Sequence, residues 1–222
     1  MITVHHLENS RSQRVLWLLE ELEVPYEIKR YERDKQTNLA PAELSNVHPL
    51  GKSPVIDDDG VVYAETGAII EHIVDAHGAG RLKPDPGTEE YRRYRYWMHA
   101  AEGSYMPPLV TSLFLARMEA AKMPFFAKPV AKRLTQGLRD AYLDHTTKAL
   151  FDYVANELSL RSWLAGDEFS AADVMMSFPL EAALTRVPAA KAAAPIRGFV
   201  ERIHARPAYK RALEKGGPYV YA

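Results

Sequence analysis

Strand and helix signals alternate along the first 80 residues and then give way to helix signals alone, which constrains the fold more than any other feature of this chain. Ile2–Leu7 is a short run with β-branched residues, and apolar residues recur at helical spacing from Val15 to Leu22. Strand character returns at Tyr26–Tyr31. A strand, helix, strand order favours a parallel pair of strands joined by a right-handed crossover.

A hairpin and a second helix complete this first part. Residues 54–56 and Val61–Ala64 have strand character, and the Asp-Gly pair between them is a strong hairpin signal. Thr66 can cap a helix that runs to about His77. The predicted order is therefore β-α-β, a loop, and then β-β-α.

A cluster of glycine and proline residues marks the boundary between the two parts. Residues 78–87 read GAGRLKPDPG, which breaks both helical and strand patterns. Residues 1–80 hold 7 basic and 14 acidic side chains, whereas residues 81–222 hold 21 and 15. We predict a first domain over residues 1–80, a linker over 81–87 and a second domain over 88–222.

The second domain is predicted to be all-helical. Residues 170–173 read SAAD, a capping box with Asp in place of Glu or Gln, and predict a helix start at Ser170. Pro179 suggests a kink in that helix. The amphipathic patterns predict helices over residues 88–121, 125–158, 170–183 and 195–205, and a short one after Pro207.

Composition excludes several functions. The net charge of -1 and the lack of a polybasic run argue against nucleic acid as a partner. The chain has no Cys, so a thiol nucleophile, a disulfide and a thiolate metal site are excluded. No apolar run approaches the ~20 residues that a membrane-spanning helix needs. We expect a cytoplasmic protein with no membrane partner.

Four local motifs, in this order along the chain, resemble those of the glutathione transferases. They are NSRSQR at residues 9–14, HPLGKSPV at 48–55, AETGAII at 64–70 and FSAADV at 169–174. The first motif, with EGSYMPPL at 102–109, is similar to the serine-type bacterial and fungal members. The resemblance implies a thioredoxin-like first domain, an all-helical second domain, a homodimer, and conjugation of reduced glutathione to hydrophobic electrophiles.

Ser10 and Ser12 are the candidate catalytic residues. Ser10 falls between a predicted strand and a predicted helix, where free N–H groups and the helix dipole favour an anion. A hydroxyl there can donate to a bound thiolate and lower the pKa of the thiol. The alternative is that Ser10 or Ser12 simply caps the helix, which is the common use of Ser in this position.

Five residues are candidates for binding glutathione. The resemblance implies that Ser53 pairs with the cysteinyl part through its backbone, that Pro54 follows a cis peptide bond, and that Lys52 meets the glycyl carboxylate. Thr66, at a helix start, can bind a carboxylate while Glu65 accepts from an ammonium group, and these are the two charges of a γ-glutamyl group. The alternatives are an exposed lysine and an ordinary helix cap.

The electrophile pocket is expected between the domains, where such sites often form. Its candidates on the first long helix are Tyr105, Met106, Leu109 and Phe114, with Tyr105 near the thiolate or the leaving group. Tyr219 and Tyr221 can fold over from the tail. A buried core stripe is the alternative for the helix residues.

We assign no metal site. His5 and His6 point to opposite faces of a strand and cannot share an ion. His99 and Glu102 have i,i+3 spacing on a helix, and the resemblance implies that Glu102 approaches the partner subunit's γ-glutamyl group. A glutathione-dependent peroxidase, a non-catalytic glutathione-binding module and a carrier of apolar ligands remain open as alternative functions.

Overall fold

A four-stranded mixed sheet forms the first part of the protein, of which a computed structural model describes residues 1–221. The strands are β1 (Ile2–Leu7), β2 (Tyr26–Tyr31), β3 (Val55–Asp58) and β4 (Val61–Ala64), in the spatial order β2-β1-β3-β4. β1 and β2 are parallel, and β3 is antiparallel to both β1 and β4. The predicted parallel pair and hairpin are confirmed.

The third strand differs from its predicted bounds of 54–56. It begins one residue later, because Pro54 has no N–H for the ladder, and it continues through Asp58. Asp59 and Gly60 form the hairpin turn, with φ of 50° and 89°. Positive φ at both central residues is what a two-residue hairpin turn of type I′ requires.

Two helices pack on this sheet. α1 (Ser12–Leu22) is buried over nearly its whole length, because it lies between the sheet and the helices of the second part. α2 (Thr66–His77) is amphipathic and buries its isoleucines while its charged residues face solvent. The N-terminal ends of both helices lie at the same end of the sheet. α1 follows β1 and α2 follows β4, and these two strands run in the same direction.

The second part is helical, as predicted, but its two long helices are each interrupted by a π-helical segment. The predicted helix over 88–121 is divided at Ala101–Tyr105, and the one over 125–158 begins at Lys128 and is divided at Arg139–Leu143. Pro107 follows the first interruption, where its missing N–H and its ring prevent regular i to i−4 bonding. The helices are α3 (Glu89–Ala100), α4 (Met106–Ala120), α5 (Lys128–Leu138), α6 (Asp144–Leu160), α7 (Ala171–Arg186), α8 (Pro188–Ala192), α9 (Ala194–Ala205) and α10 (Pro207–Gly216).

The segment between the two parts is tied to both. The Arg81 guanidinium donates to the Leu22 carbonyl at 2.6 Å, and the Ala171 N–H donates to the Leu82 carbonyl at 2.9 Å. One hydrophobic core continues from Trp17 in α1 to Trp97 in α3. No helix within residues 1–221 is both long and apolar enough to cross a bilayer.

Asp173 holds the start of α7. Its carboxylate, fully buried, accepts from the N–H groups of Leu164 and Ser170 at 2.9 Å each and from the Ser170 hydroxyl at 3.0 Å. The predicted capping box is therefore present. Burial raises the pKa of Asp173 to about 6, although these donors act in the opposite direction.

We expect Asp173→Ala to lower the free energy of unfolding by about 2–4 kcal/mol, because it leaves buried N–H groups without acceptors. Urea denaturation at pH 7 measures the change. Asp167→Ala is the matched control, since Asp167 lies in the loop before α7 and is exposed. Equal stability of the two variants would contradict this role.

Candidate functional site

A cleft of about 210 Å³ lies beside the start of α2. It brings together all five residues predicted to bind glutathione, although they come from two separate motifs. The β3–β4 hairpin causes this, because it returns the chain so that the loop before β3 and the turn after β4 are neighbours. The lining residues are Arg11, His48, Leu50, Lys52, Ser53, Pro54, Val55, Ala64, Glu65, Thr66 and Glu102.

Ser53 ties its loop to β1. Its hydroxyl donates to the His5 carbonyl at 2.9 Å and accepts from the Leu7 N–H at 3.3 Å. The peptide bond between Ser53 and Pro54 is cis, as the resemblance implies. The Ser53 hydroxyl therefore bonds within the protein. The groups of this segment that can bind a ligand are its backbone and the exposed Lys52 side chain.

Glu65 adopts an unusual backbone conformation at the wall of the cleft. Its φ is 70° and its ψ is 126°, in a region that residues other than glycine rarely adopt. Such strain clusters at ligand-binding sites. No side chain caps the N-terminus of α2 at this position, so the cleft faces a helix end that favours an anion.

Glu102, in the second part of the chain, pairs with two arginines of the first part at the wall of the cleft. Its carboxylate accepts from Arg11 Nε at 3.1 Å and from Arg14 Nη2 at 2.5 Å. Burial raises the pKa of Glu102, but the two guanidinium groups outweigh it, and the pKa lies below its usual value. Arg14 is 1% exposed and also donates to the Met175 carbonyl at 2.6 Å. Glu102 therefore pairs within its own chain, a role that helical spacing alone did not suggest.

A chain of hydrogen bonds leads inward from Ser10. The Ser10 and Ser12 hydroxyl oxygens are 2.8 Å apart, and Ser12 Oγ is 2.8 Å from Nδ1 of His6. Ser10 Oγ also accepts from the Ser12 N–H at 3.2 Å, so it satisfies one donor at the start of α1. Ser12 is fully buried, whereas Ser10 is 6% exposed and precedes Arg11, which lines the cleft.

The donor and acceptor roles in this series of hydrogen bonds follow from the protonation state of His6. Burial lowers the pKa of His6 to about 4, so the ring is neutral at pH 7, and the Gly216 carbonyl is its other hydrogen-bond partner. The ring nitrogen that faces a carbonyl carries the hydrogen, which leaves Nδ1 as an acceptor. Ser12 therefore donates to His6, and Ser10 donates to Ser12. To donate to an anion in the cleft, Ser10 turns its hydrogen away from Ser12.

This arrangement corrects the expectation for Ser12. Its Oγ lies within 3.3 Å of the Leu7 carbonyl as well as being bonded to His6 and Ser10, and no part of the side chain is exposed. It cannot touch a ligand, and it does not serve as the helix cap, because it is the first residue of α1. Its neighbour Ser10 is the hydroxyl closer to solvent.

The expected electrophile pocket on the first long helix is also corrected. Tyr105, Met106 and Leu109 are at most 5% exposed and belong to the hydrophobic core, as the alternative interpretation of a core stripe expected. The Tyr105 hydroxyl donates to the Leu150 carbonyl at 3.0 Å, and burial raises its pKa. Phe114 is 56% exposed and is not part of the cleft.

The C-terminal tail folds back beside Ser10. The Val220 N–H donates to the Asn9 side chain at 2.9 Å, which places the tail against the turn between β1 and α1. Tyr219 and Tyr221 pack on Phe178, with ring centroids 6.5 and 5.6 Å apart. The sequence indicated the two tyrosines, but it carried no signal for Phe178, which lies in the middle of α7.

The fold and the cleft together define a two-domain protein with a thioredoxin-like N-terminal domain and a helical C-terminal domain. The family model described as "Glutathione S-transferase, N-terminal domain" matches residues 1–75, and "Glutathione S-transferase, C-terminal domain" matches residues 115–207. The chain belongs to the glutathione S-transferase family.

Individual relatives agree with this assignment. The chain is 39% identical to Glutathione S-transferase 3 of Schizosaccharomyces pombe, over 97% of this chain and 88% of the relative. It is 32% identical to Glutathione S-transferase 1 of Saccharomyces cerevisiae, over 97% and 95%.

Solved structures have the same fold. A glutathione S-transferase from Actinobacillus pleuropneumoniae is 32% identical, with a TM-score of 0.81 over 99% of this chain and 94% of that one. A sphingomonad glutathione S-transferase, solved as a complex with glutathione, is 22% identical, with a TM-score of 0.73 over 97% and 98%. At that identity the second likeness concerns the fold alone.

Proposed function

We propose that this protein is an enzyme that conjugates the thiolate of reduced glutathione to hydrophobic electrophiles, and that the Ser10 hydroxyl stabilises the thiolate, as in the serine-type members. The observation that supports the proposal is the composition of the cleft. It combines a cation, a strand-like backbone segment and the start of a helix within one space of about 210 Å³.

These three features correspond to the three parts of glutathione. Lys52 is suited to the glycyl carboxylate, and the backbone of residues 53–55 is suited to the cysteinyl amide groups. The N-terminus of α2 at Thr66 is suited to the γ-glutamyl carboxylate, and the Glu65 carboxylate to its ammonium group. A peptide anchored in this way directs its thiol toward the turn that carries Ser10.

The electrophile is proposed to lie against the tail rather than against the buried stripe of α4. Tyr219 and Tyr221 are half-buried and pack over the buried Phe178, and Arg11 lies 5.5 Å from the centre of the Phe178 ring. Aromatic surfaces of this kind bind flat apolar molecules. Holding the thiolate and the electrophile together raises the rate, because it removes the entropy cost of their encounter.

We propose a homodimer in which the hairpin of one subunit meets the helices of the other. Val61 and Val62 on the edge strand are exposed in the single chain, and so is Tyr96 on α3. Exposed apolar side chains on an edge strand and on a helix are typical of a surface that a second subunit covers. We also propose that the enzyme acts in the cytoplasm, since its co-substrate is the reduced form of glutathione. Light scattering of the purified protein measures the subunit number.

The experiment that tests the proposal is a titration with glutathione, followed by ultraviolet difference absorbance of the thiolate across a range of pH. Saturable binding with a thiol pKa well below the ~8.5 of a free Cys is the expected result. Product formation with an activated aryl halide then completes the test. Binding with an unshifted pKa supports the non-catalytic alternative instead, and turnover of a hydroperoxide faster than of any halide supports the peroxidase.

We expect Lys52→Ala to weaken glutathione binding roughly tenfold, because it removes one charge-assisted contact at an exposed position. Isothermal titration calorimetry measures the affinity. Lys210→Ala, which removes an exposed lysine on α10, is expected to bind glutathione as the unaltered protein does. An equal affinity of the two variants would contradict the assigned role of Lys52.

A further inference from the structure

Two histidines and one aspartate meet at the end of the sheet, outside the cleft and its neighbouring turn. Nε2 of His72 is 2.8 Å, and Nε2 of His77 is 2.7 Å, from the same oxygen of Asp58, Oδ2. The three donor atoms all lie within 4.8 Å of one another. We propose that Asp58, His72 and His77 form a binding site for a divalent transition metal ion, with Zn²⁺ as the ion that fits best.

The sequence does not indicate this cluster, because the tertiary fold assembles it. Residues five apart on an α-helix point about 140° away from each other, so the spacing of His72 and His77 does not put them on one face. His77 is the last residue of α2, where its side chain can turn back toward the sheet. Asp58 is the last residue of β3 and lies on the same face as Ile56, toward α2. The proposal therefore revises the sequence-based expectation that the chain has no metal site.

The donor set has the chemistry of a zinc site. Two imidazole nitrogens and one carboxylate oxygen are ligands that Zn²⁺ commonly takes in proteins, and three protein ligands leave the fourth tetrahedral position for water. Each imidazole can bind the ion through Nε2 when its hydrogen is on Nδ1. Asp57 and Asp59 flank Asp58 and add negative charge on either side of it.

The cluster is both supported and accessible. The Tyr63 ring stacks on His72 with centroids 3.8 Å apart and planes 16° from parallel, which holds the imidazole plane. The side chains of Asp58, His72 and His77 are 12%, 20% and 31% exposed. Bound Zn²⁺ needs its donors about 3.3 Å apart, so each of the two distances between Asp58 and a histidine must widen by about 0.5–0.6 Å. Small rotations of the half-buried histidines are sufficient for this.

A bound ion would hold the hairpin against the C-terminal end of α2. The opposite end of α2 begins at Thr66, beside the cleft. A ligand that binds only the folded state raises stability by mass action. Zn²⁺ is therefore expected to raise the melting temperature of the protein in the absence of glutathione.

The test is isothermal titration calorimetry of the full chain, purified without a histidine tag, with ZnSO₄ alone. Glutathione is left out because its thiol binds zinc, so the result is independent of the proposed transferase function. One ion per chain with a micromolar Kd is expected. His72→Asn, His77→Asn and Asp58→Asn are each expected to weaken binding roughly tenfold or more.

The double variant His99→Asn/His145→Asn is the matched control, because it removes two exposed histidines and leaves the cluster intact. Circular dichroism shows whether each variant is folded, and Asp58→Asn preserves the size of the side chain. The visible spectrum of bound Co²⁺ gives a second reading, since tetrahedral Co²⁺ absorbs strongly. No binding by the unaltered protein, or equal binding by the cluster variants and the control, would overturn the proposal.

Discussion

Replacing Ser10 with alanine is expected to raise the pKa of the bound glutathione thiol by roughly one to two units, because one charge-assisted hydrogen bond to the thiolate is lost. The kcat/KM for conjugation at pH 6.5 is then expected to fall roughly tenfold to a hundredfold, in proportion to the lost thiolate. The deficit should shrink as the pH approaches the pKa of the free thiol. Thiolate absorbance and a pH profile of kcat/KM measure both effects.

The variant Ser12→Ala tests whether Ser10 acts on the thiolate or only supports the structure of the turn. The Ser10 hydroxyl donates to Ser12, and it must break this bond to donate to an anion in the cleft. Without the Ser12 hydroxyl, Ser10 has no such bond to break. We expect the bound thiol pKa in this variant to be unchanged or lower, while the unpaired Nδ1 of His6 costs stability. Ser159→Ala is the exposed control. Unchanged thiol pKa and turnover in Ser10→Ala would remove Ser10 from the mechanism.

Glu102→Gln is expected to lower the free energy of unfolding at pH 7 by about 3 kcal/mol, the low end of the range for breaking a buried ion pair. The low end applies because Arg14 is 1% exposed but Glu102 is 32% exposed. The variant leaves the buried Arg14 guanidinium with a neutral partner. Urea denaturation measures the loss, with the exposed Glu201→Gln as the matched control.

The same pair predicts how this loss depends on pH. The pKa of Glu102 is lower in the folded protein than its ordinary value of 4.5. Its contribution is therefore fully present above about pH 4.5 and is lost as the pH falls through the folded-state pKa. The difference in unfolding free energy between the unaltered protein and Glu102→Gln should accordingly be largest near pH 7 and shrink at pH 4. A constant difference would contradict this assignment.

Local patterns along the chain were enough to predict the order of the elements in the first domain, the hairpin, the helical second domain and the capping box at Ser170. The sequence also indicated Lys52, Ser53, Pro54, Glu65 and Thr66, which the fold brings to one cleft. The elements depend on local signals, because periodicity of apolar residues, turn residues and cap residues act over a few positions. Lys52, Ser53 and Pro54 were indicated by the resemblance of their motif to the glutathione transferases. Such signals are readable without knowing which elements pack together.

The exposure of each candidate side chain depends on packing between elements, which local patterns do not give. Ser10 and Ser12 are two residues apart, yet packing buries the Ser12 side chain completely and leaves Ser10 6% exposed. Tyr105 occupies the core because α6 supplies the Leu150 carbonyl for its hydroxyl. Glu102 meets Arg14, and Asp58 meets two histidines, across elements distant in sequence. These contacts depend on burial and on long-range packing, which no local pattern along the chain encodes.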